Sequence, residues 1–280
     1  MIIDTHTHFY DPTRPQGIPW PNPDNAQLYR QVLPEHFCAL AQPEGVVGTV
    51  VVEASVWLND NQWILDLAAQ NPVIVGFVGN LDPLDPNFES HLDTFAANPI
   101  FRGIRLGRGR IQNFSPDNLY GIAKKLADRN LEVDLLIHTE ELEATANLAK
   151  RIPDLRIVIN HIALVPVNGQ QPDAEWVKAI QRVAQYPNVY MKVSALVEMA
   201  QNQPAPGDVA YYKPTLDVLW NAFGEDRLIY GSDWPVCERA ASYHTVFQIV
   251  QEYFNTKGKN AAEKYFYHNG KNAYKWIDQI

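Results

Sequence analysis

Two histidines share one face of the first predicted strand. His6 and His8 lie in the run Asp4-Thr5-His6-Thr7-His8, close to the start of the chain. Because side chains alternate along a strand, both imidazoles point to the same side. Neutral imidazole nitrogens are common ligands of Zn²⁺. The spacing therefore indicates a divalent metal site, and the alternative is two loop histidines that bind nothing.

Three further residues at strand ends could complete a catalytic site. His138, His161 and Asp233 end or follow the runs predicted as strands five, six and eight. Each has a simpler explanation, since His138 could begin a helix, His161 could be a hydrogen-bonded core histidine and Asp233 could cap the next helix. Their joint placement with the first-strand pair is harder to explain in that way and favours catalysis.

Charged residues also occur inside the predicted strands. Arg105 alternates with Ile104 and Leu106 and is therefore expected to point into the mouth of the fold, and Glu53 and Lys192 lie late in strands two and seven. Burying such charges is costly unless they are paired or bind a ligand. For Glu53 and Lys192, an internal ion pair, such as Glu53 with Arg105 or Lys192, is as good an interpretation as a substrate role. For Arg105 we favour a substrate, because a guanidinium suits a carboxylate or a hydroxyl-rich ligand.

The elements that position these residues alternate between strand and helix. Apolar runs typical of buried strands cover residues 2–6, 46–54, 73–81, 101–106, 131–138, 155–161, 189–194 and 228–232. The clearest amphipathic segments between them cover residues 61–71, 117–130, 140–151, 175–185 and 243–254. Eight such units predict an α/β protein with a single (β/α)8 TIM-barrel domain over residues 1–280. Residues 260–280 are predicted to form a closing helix outside the barrel.

Composition narrows the class of ligand. The chain has 280 residues and a formal net charge of −9, which argues against a nucleic acid as partner. Two distant cysteines form no C-x-x-C motif, the first residues lack the pattern of a signal peptide, and no apolar run has the length of a membrane span. We therefore expect a soluble cytoplasmic protein with a small-molecule substrate and no membrane partner.

Five motifs make the sequence recognisable. They are residues 3–12 (IDTHTHFYDP), 103–105 (GIR), 153–161 (PDLRIVINH), 191–194 (MKVS) and 231–236 (GSDWPV). With them the chain resembles the amidohydrolase superfamily, of the amidohydrolase 2 type. More narrowly, it is similar to the branch of barrels that includes sugar lactonases and 2-pyrone-4,6-dicarboxylate lactonase.

The resemblance implies a set of site residues. His6, His8, His161 and Asp233 would line the catalytic centre, and His6, His8, His138 and Asp233 would hold one divalent ion, with Zn²⁺ expected. Some lactonases of this branch work without a metal, so a metal-free mechanism is the alternative. Arg105, a cation on strand four, argues against a second metal. After strand six the chain has Asn-His-Ile-Ala-Leu-Val-Pro where relatives have Asp-His-Leu-Gly-Lys-Pro, which leaves the substrate open.

The function that follows is hydrolysis of a sugar-acid or dicarboxylate lactone. Asp233 would act as general base and then general acid, with His161 assisting and Arg105 contributing to the catalytic centre. The expected substrate-binding residues are Glu53, Trp57, Tyr211 and Lys213, of which Trp57 and Tyr211 could equally be packing residues. Two alternatives are a metal-dependent non-oxidative decarboxylase and a catalytically inactive ligand-binding barrel. Trp234-Pro235 after the aspartate favours the hydrolase over the decarboxylase, whose relatives usually have Tyr there.

Overall fold

A computed structural model describes residues 1–107 and 114–277. Eight parallel strands follow one another around one sheet in the order of the chain, and each pairs with the next. They are β1 (Ile2–Thr7), β2 (Val46–Val52), β3 (Ile74–Gly79), β4 (Phe101–Leu106), β5 (Glu132–Leu135), β6 (Arg156–Ile159), β7 (Val189–Val193) and β8 (Leu228–Tyr230). This arrangement confirms the predicted (β/α)8 barrel.

Helices connect successive strands on the outside of the barrel, and further helices follow β8. They are α1 (Pro34–Ala41), α2 (Leu58–Gln70), α3 (Phe88–Ala96), α4 (Pro116–Asp128), α5 (Leu142–Arg151), α6 (Ala174–Val183), α7 (Val209–Phe223), α8 (Tyr243–Asn255), α9 (Lys259–Glu263) and α10 (Asn269–Tyr274). Several begin at side-chain caps: Ser115 accepts a hydrogen bond from the Asn118 amide, and Asp173 accepts from the Glu175 amide. Within the described residues, no helix has the length and apolar character that a membrane span would need.

The strands are buried on both faces, which explains their nearly continuous apolar sequences. All six residues of β3 and all four of β6 are buried. A parallel sheet that is covered by helices on one side and filled by its own side chains on the other needs apolar residues at every position. The polar residues that interrupt this pattern are therefore informative, because a buried polar side chain is costly unless it is paired or neutral.

The barrel closes between β1 and the residues that follow β8. The Asp233 amide donates to the His6 carbonyl, and the His8 amide donates to the Trp234 carbonyl, both at 2.9 Å. A parallel bridge between Thr7 and Trp234 completes this contact. Closure therefore brings His6 and His8 against Asp233, which lies 225 residues beyond His8 in the chain.

The C-terminal segment closes the opposite end of the barrel, which corrects the prediction that it packs outside. Tyr274 and Trp276 are buried in one cluster with the inward-facing side chains of Ile3, Val158 and Ile229. The guanidinium groups of Arg102 and Arg156, at the starts of β4 and β6, donate to the carbonyls of Tyr274 and Ala273. The segment is held there because its aromatic rings fill the open floor of the barrel. Residues 278–280 of the predicted helix lie outside the described residues.

Candidate active site

Three imidazoles surround one carboxylate oxygen at the top of the barrel. Asp233 Oδ1 lies 3.3 Å from His8 Nε2, 3.4 Å from His6 Nε2 and 3.8 Å from His161 Nε2. All four side chains are buried. Four of the residues predicted to form the site are therefore brought together. One ligand atom each from His6, His8 and Asp233 lie within 4.8 Å of one another, which is compatible with a shared metal ion.

The two first-strand histidines have different partners on their other ring nitrogens. His8 Nδ1 lies 2.9 Å from the carbonyl oxygen of Val52, whereas His6 Nδ1 lies 3.1 Å from Nζ of Lys192. His6 Nε2 is buried and has no hydrogen-bond partner among the described residues. Two imidazoles and a carboxylate are ligands that Zn²⁺ and similar ions accept. The donor set, with its unpartnered nitrogen, fits one divalent ion.

Backbone geometry aims His161 at the centre. β6 ends at Ile159, and the residues from His161 to Leu164 form a left-handed turn with φ between 50° and 54°. Such a conformation costs about 1–2 kcal/mol for each residue that is not glycine. The turn is held by Trp176, whose indole donates to the Ile162 carbonyl, and by Ser194, whose Oγ lies 2.8 Å from His161 Nδ1. Asp233 is also left-handed, with φ 62°, so strain is concentrated at the site.

Burial and neighbouring charges decide which groups are ionised. Burial lowers the pKa of His161 to about 4, partly opposed by Asp233. Burial and the Lys192 ammonium lower the pKa of His6 well below its usual range. Burial acts to raise the pKa of Asp233, but His161, His8 and a hydrogen bond from Glu198 lower it to about 2. At neutral pH the centre is thus a carboxylate among imidazoles, of which His6 and His161 are neutral.

Glu198 is a member of the site that sequence reasoning missed. Both of its carboxyl oxygens are buried and have no partner among the amide and hydroxyl donors of the described residues. Burial and the neighbouring Asp233 raise the pKa of Glu198 well above its usual range. Two adjacent carboxyl groups in one buried site cannot both ionise easily, so Glu198 keeps its proton and is the hydrogen-bond donor to the Asp233 carboxylate. Its position on the loop after β7 was the available signal, because such loops carry catalytic residues.

A cavity of about 570 Å³ opens above the centre. Arg105 and Glu53 lie in its wall and pair with each other, with Arg105 Nε 2.7 Å from Glu53 Oε1. The internal ion pair considered for Glu53 is therefore present, and both side chains still face the cavity. The lining residues that sequence reasoning did not assign to the site include Trp20, Leu136, Glu198, Met199 and Arg239.

His138 lies apart from the centre. The prediction that strand five extends to His138 is wrong, because β5 ends at Leu135. His138 is exposed and begins the short helical turn Thr139–Glu141. The structure therefore does not bring it to His6, His8 and Asp233.

Three of the four expected substrate-binding residues do not line the cavity. Trp57 is 38% exposed at the start of α2. Tyr211 donates to the Val167 carbonyl, and its ring lies against Gly169. Lys213 is exposed and pairs with Asp217 one turn further along α7. Tyr211 and Lys213 belong to α7, which packs against the barrel, and their polar atoms face a neighbouring loop and solvent.

Lys192 pairs inside the barrel, but with a different partner from the one considered. Its ammonium lies 2.8 Å from Asp134 Oδ2, and both side chains are fully buried. It is the cation of an internal ion pair below the centre and does not line the cavity. The partner of Lys192 is therefore Asp134 on β5, and not Glu53 as the sequence had suggested.

A parallel barrel with an acid–base centre of this kind at the carboxyl ends of its strands defines an enzyme-type site. The sequence model of the Amidohydrolase family matches residues 3–276, and the chain belongs to this family.

Similarity to known proteins extends over most of the chain. An L-fucono-1,5-lactonase from Burkholderia ambifaria is 31% identical over 86% of this chain and 82% of its own length. A second L-fucono-1,5-lactonase, from Burkholderia multivorans, is 26% identical over 94% of this chain and 92% of its own. A crystal structure of an amidohydrolase from Burkholderia multivorans with bound Zn matches with a TM-score of 0.83 and 23% identity, over 99% of this chain and 100% of that one.

Proposed function

We propose that this protein is a lactonase that opens a sugar-acid lactone by attack of water. The observation that carries the proposal is the buried Asp233 carboxylate, ionised at neutral pH, at the floor of a cavity large enough for a sugar-sized ligand. Two relatives with the name L-fucono-1,5-lactonase support the substrate class. The alternative substrate for the same reaction is a dicarboxylate lactone.

Asp233 is placed to move the proton in both halves of the reaction. It takes a proton from water as the oxygen of that water bonds to the ring carbonyl carbon. When the ring C–O bond breaks, Asp233 returns the proton to the departing alkoxide oxygen, and the product is a hydroxy acid. Positioned acid–base groups of this kind contribute about 10²–10⁴ in rate. The product acid ionises at neutral pH, so the reaction releases a proton to solvent.

His161 is the proposed donor to the negative charge on the carbonyl oxygen. Ser194 Oγ accepts from the His161 amide at 3.3 Å, and we propose that its hydroxyl donates to His161 Nδ1 at 2.8 Å. A neutral imidazole that accepts at Nδ1 carries its hydrogen on Nε2. That nitrogen faces the centre, 3.8 Å from Asp233 Oδ1. His161 can therefore donate to the developing oxyanion.

The proposed metal ligands are His6, His8 and Asp233, and we propose Zn²⁺ as the ion. A bound divalent ion polarises a carbonyl group and lowers the pKa of bound water to about 7. The zinc-containing structural neighbour and the unpartnered His6 Nε2 support this assignment. Arg105 and Glu53 in the cavity wall offer a donor and an acceptor to the substrate hydroxyl groups. Since Cys38 and Cys237 are both free thiols, we propose the cytoplasm as the location.

The test is acid release from a panel of aldono-1,5-lactones, aldono-1,4-lactones and dicarboxylate lactones, followed with a pH indicator. We expect Asp233→Asn to lower kcat/KM about 10²–10⁴-fold on the best substrate. Chelation and return of Zn²⁺ to the wild type measure the contribution of the metal. Acid release by Asp233→Asn at the wild-type rate contradicts the role of Asp233. Release of CO2 from carboxylated aromatic compounds, with no acid from any lactone, supports a decarboxylase instead.

A further inference from the structure

A buried chain of side chains connects the floor of the barrel to the catalytic centre. Tyr274, in the C-terminal segment, donates to Asp134 Oδ1 at 2.8 Å. Asp134 Oδ2 accepts from Lys192 Nζ at 2.8 Å, and the same ammonium lies 3.1 Å from His6 Nδ1. All four side chains are 0% exposed. The second nitrogen of a proposed metal ligand is thus contacted by a buried cation.

The contact specifies where His6 carries its hydrogen. An ammonium has three donors and no acceptor. Burial lowers the pKa of Lys192, and the Asp134 carboxylate opposes this effect. The ion pair at 2.8 Å and the ring of Tyr274, 5.2 Å away, hold Lys192 as the ammonium at neutral pH. It therefore donates to His6 Nδ1, and a neutral imidazole that accepts at Nδ1 carries its hydrogen on Nε2.

His8 has the opposite arrangement. Its Nδ1 faces the carbonyl oxygen of Val52, which can only accept. Nδ1 of His8 therefore carries a hydrogen, and Nε2 is the atom that faces the centre, 3.3 Å from Asp233 Oδ1. Metal-binding histidines usually have this kind of acceptor behind them. His6 and His8 therefore differ in the partner of Nδ1, although both belong to the same His-x-His motif.

We infer that Lys192 is a positioning residue that holds metal-free His6 in the Nε2–H tautomer and thereby weakens the binding of a divalent ion. A metal needs the lone pair of His6 Nε2, and that requires moving the hydrogen to Nδ1, against the ammonium. The effect on affinity rests on the metal centre proposed above, whereas the tautomer does not. His6 Nε2–H lies 3.4 Å from Asp233 Oδ1 and adds positive potential beside that carboxylate.

The first experiment reads the tautomers directly in the wild type. Metal-free protein with ¹⁵N-labelled histidine is studied by long-range ¹H–¹⁵N correlation NMR at neutral pH, and His6→Gln and His8→Gln variants assign the two rings. We expect His6 to be protonated on Nε2 and His8 on Nδ1. Protonation of His6 on Nδ1 overturns the inference. Because this measurement needs neither a lactone nor a metal, failure of the proposed function leaves its outcome readable.

The second experiment measures Zn²⁺ affinity by competition with a chromophoric chelator in the Lys192→Gln variant. The glutamine carbonyl can accept from His6 Nδ1–H while its amide still donates to Asp134. We expect Zn²⁺ to bind about 10- to 100-fold more tightly than in the wild type, the usual size of effects behind a metal ligand. The matched control is Tyr274→Phe, which removes another hydrogen bond to Asp134 but keeps the ammonium, and its affinity should stay at the wild-type value.

Two results of this experiment overturn the inference. One is unchanged Zn²⁺ affinity in folded Lys192→Gln. The other is an equal gain in Tyr274→Phe, which would mean that loosening the buried chain, and not the loss of the donor, controls affinity. If Lys192→Gln does not fold, the tautomers of the wild type decide the question.

Discussion

Replacing Glu198 by glutamine should leave catalysis largely intact, although Glu198 is an acid in the active site. Burial and Asp233 raise its pKa well above the usual range, so it is a neutral donor at neutral pH. Glutamine has nearly the same shape and also donates. We expect kcat/KM of Glu198→Gln within about fivefold of the wild type, against the 10²–10⁴-fold loss that removing an acid–base catalyst causes.

Leucine at the same position should change the pH dependence instead. Glu198 donates to Asp233, and this hydrogen bond helps to hold the pKa of Asp233 at about 2. A hydrogen bond to a charged group contributes about 1.5–3 kcal/mol, which corresponds to about 1–2 pKa units. Asp233 has to be ionised to accept a proton. Losing the donor raises its pKa, so activity of Glu198→Leu should be lost at a higher pH on the acid side than in the wild type.

The assay is kcat/KM from pH 3 to pH 8 on the best lactone, with urea unfolding of each variant as the control for folding. Two results refute the reasoning. A loss of more than about 100-fold in Glu198→Gln would show that Glu198 acts as an ionised catalyst. An unchanged acid limb in Glu198→Leu would show that it does not donate to Asp233.

Three further predictions concern residues around the centre. Burial raises the pKa of Asp4 from 3.8 to about 6, so ionisation of Asp4 destabilises the fold increasingly above pH 4. The free energy of unfolding of Asp4→Asn, relative to the wild type, should therefore be about 1.4 kcal/mol more favourable at pH 8 than at pH 5. Urea unfolding at the two pH values measures this, and the same relative stability at both would contradict it. Ser194→Ala should lower kcat about 3- to 10-fold with little change in KM, because His161 loses a hydrogen bond of about 0.5–1.5 kcal/mol, and a pure KM effect contradicts it. His138→Ala should keep wild-type activity and Zn²⁺ content, since His138 is exposed and apart from the centre, and loss of bound metal would restore it as a ligand.

The sequence was a good guide where local pattern and barrel topology act together. Alternation predicted that His6 and His8 approach the same centre, and both lie beside Asp233. The apolar runs located eight strands. Once the barrel was predicted, residues at the carboxyl ends of strands had to converge. His161 and Asp233 followed from that rule. His138 did not, because it begins the helical turn Thr139–Glu141 and is exposed, whereas Asp233 lies equally far beyond its strand but is buried at the centre.

The sequence pattern could not predict which side chains contact each other across the barrel. Lys192 was recognised as a buried charge, but its partner Asp134 lies 58 residues away on a strand that is not its neighbour. Glu198 has no motif around it, and its importance comes from its contact with Asp233. Tyr274 belongs to a segment that was expected outside the barrel. Each of these contacts depends on side-chain depth and direction inside a closed sheet, which strand periodicity does not determine.

The sequence by itself determined the barrel, the family and the residue types at the strand ends, because alternation and apolar runs are set by neighbours in the chain. Only the tertiary structure decided the protonation of the centre. His6 and His8 are both histidines of one His-x-His motif, yet Nδ1 of His6 faces an ammonium and Nδ1 of His8 faces a carbonyl oxygen. Asp233 and Glu198 are both carboxylic acids in one buried site, and burial with mutual repulsion leaves the first ionised and the second neutral. Hydrogen-bond partners and dielectric surroundings determine these states, and both exist only after distant strands have met.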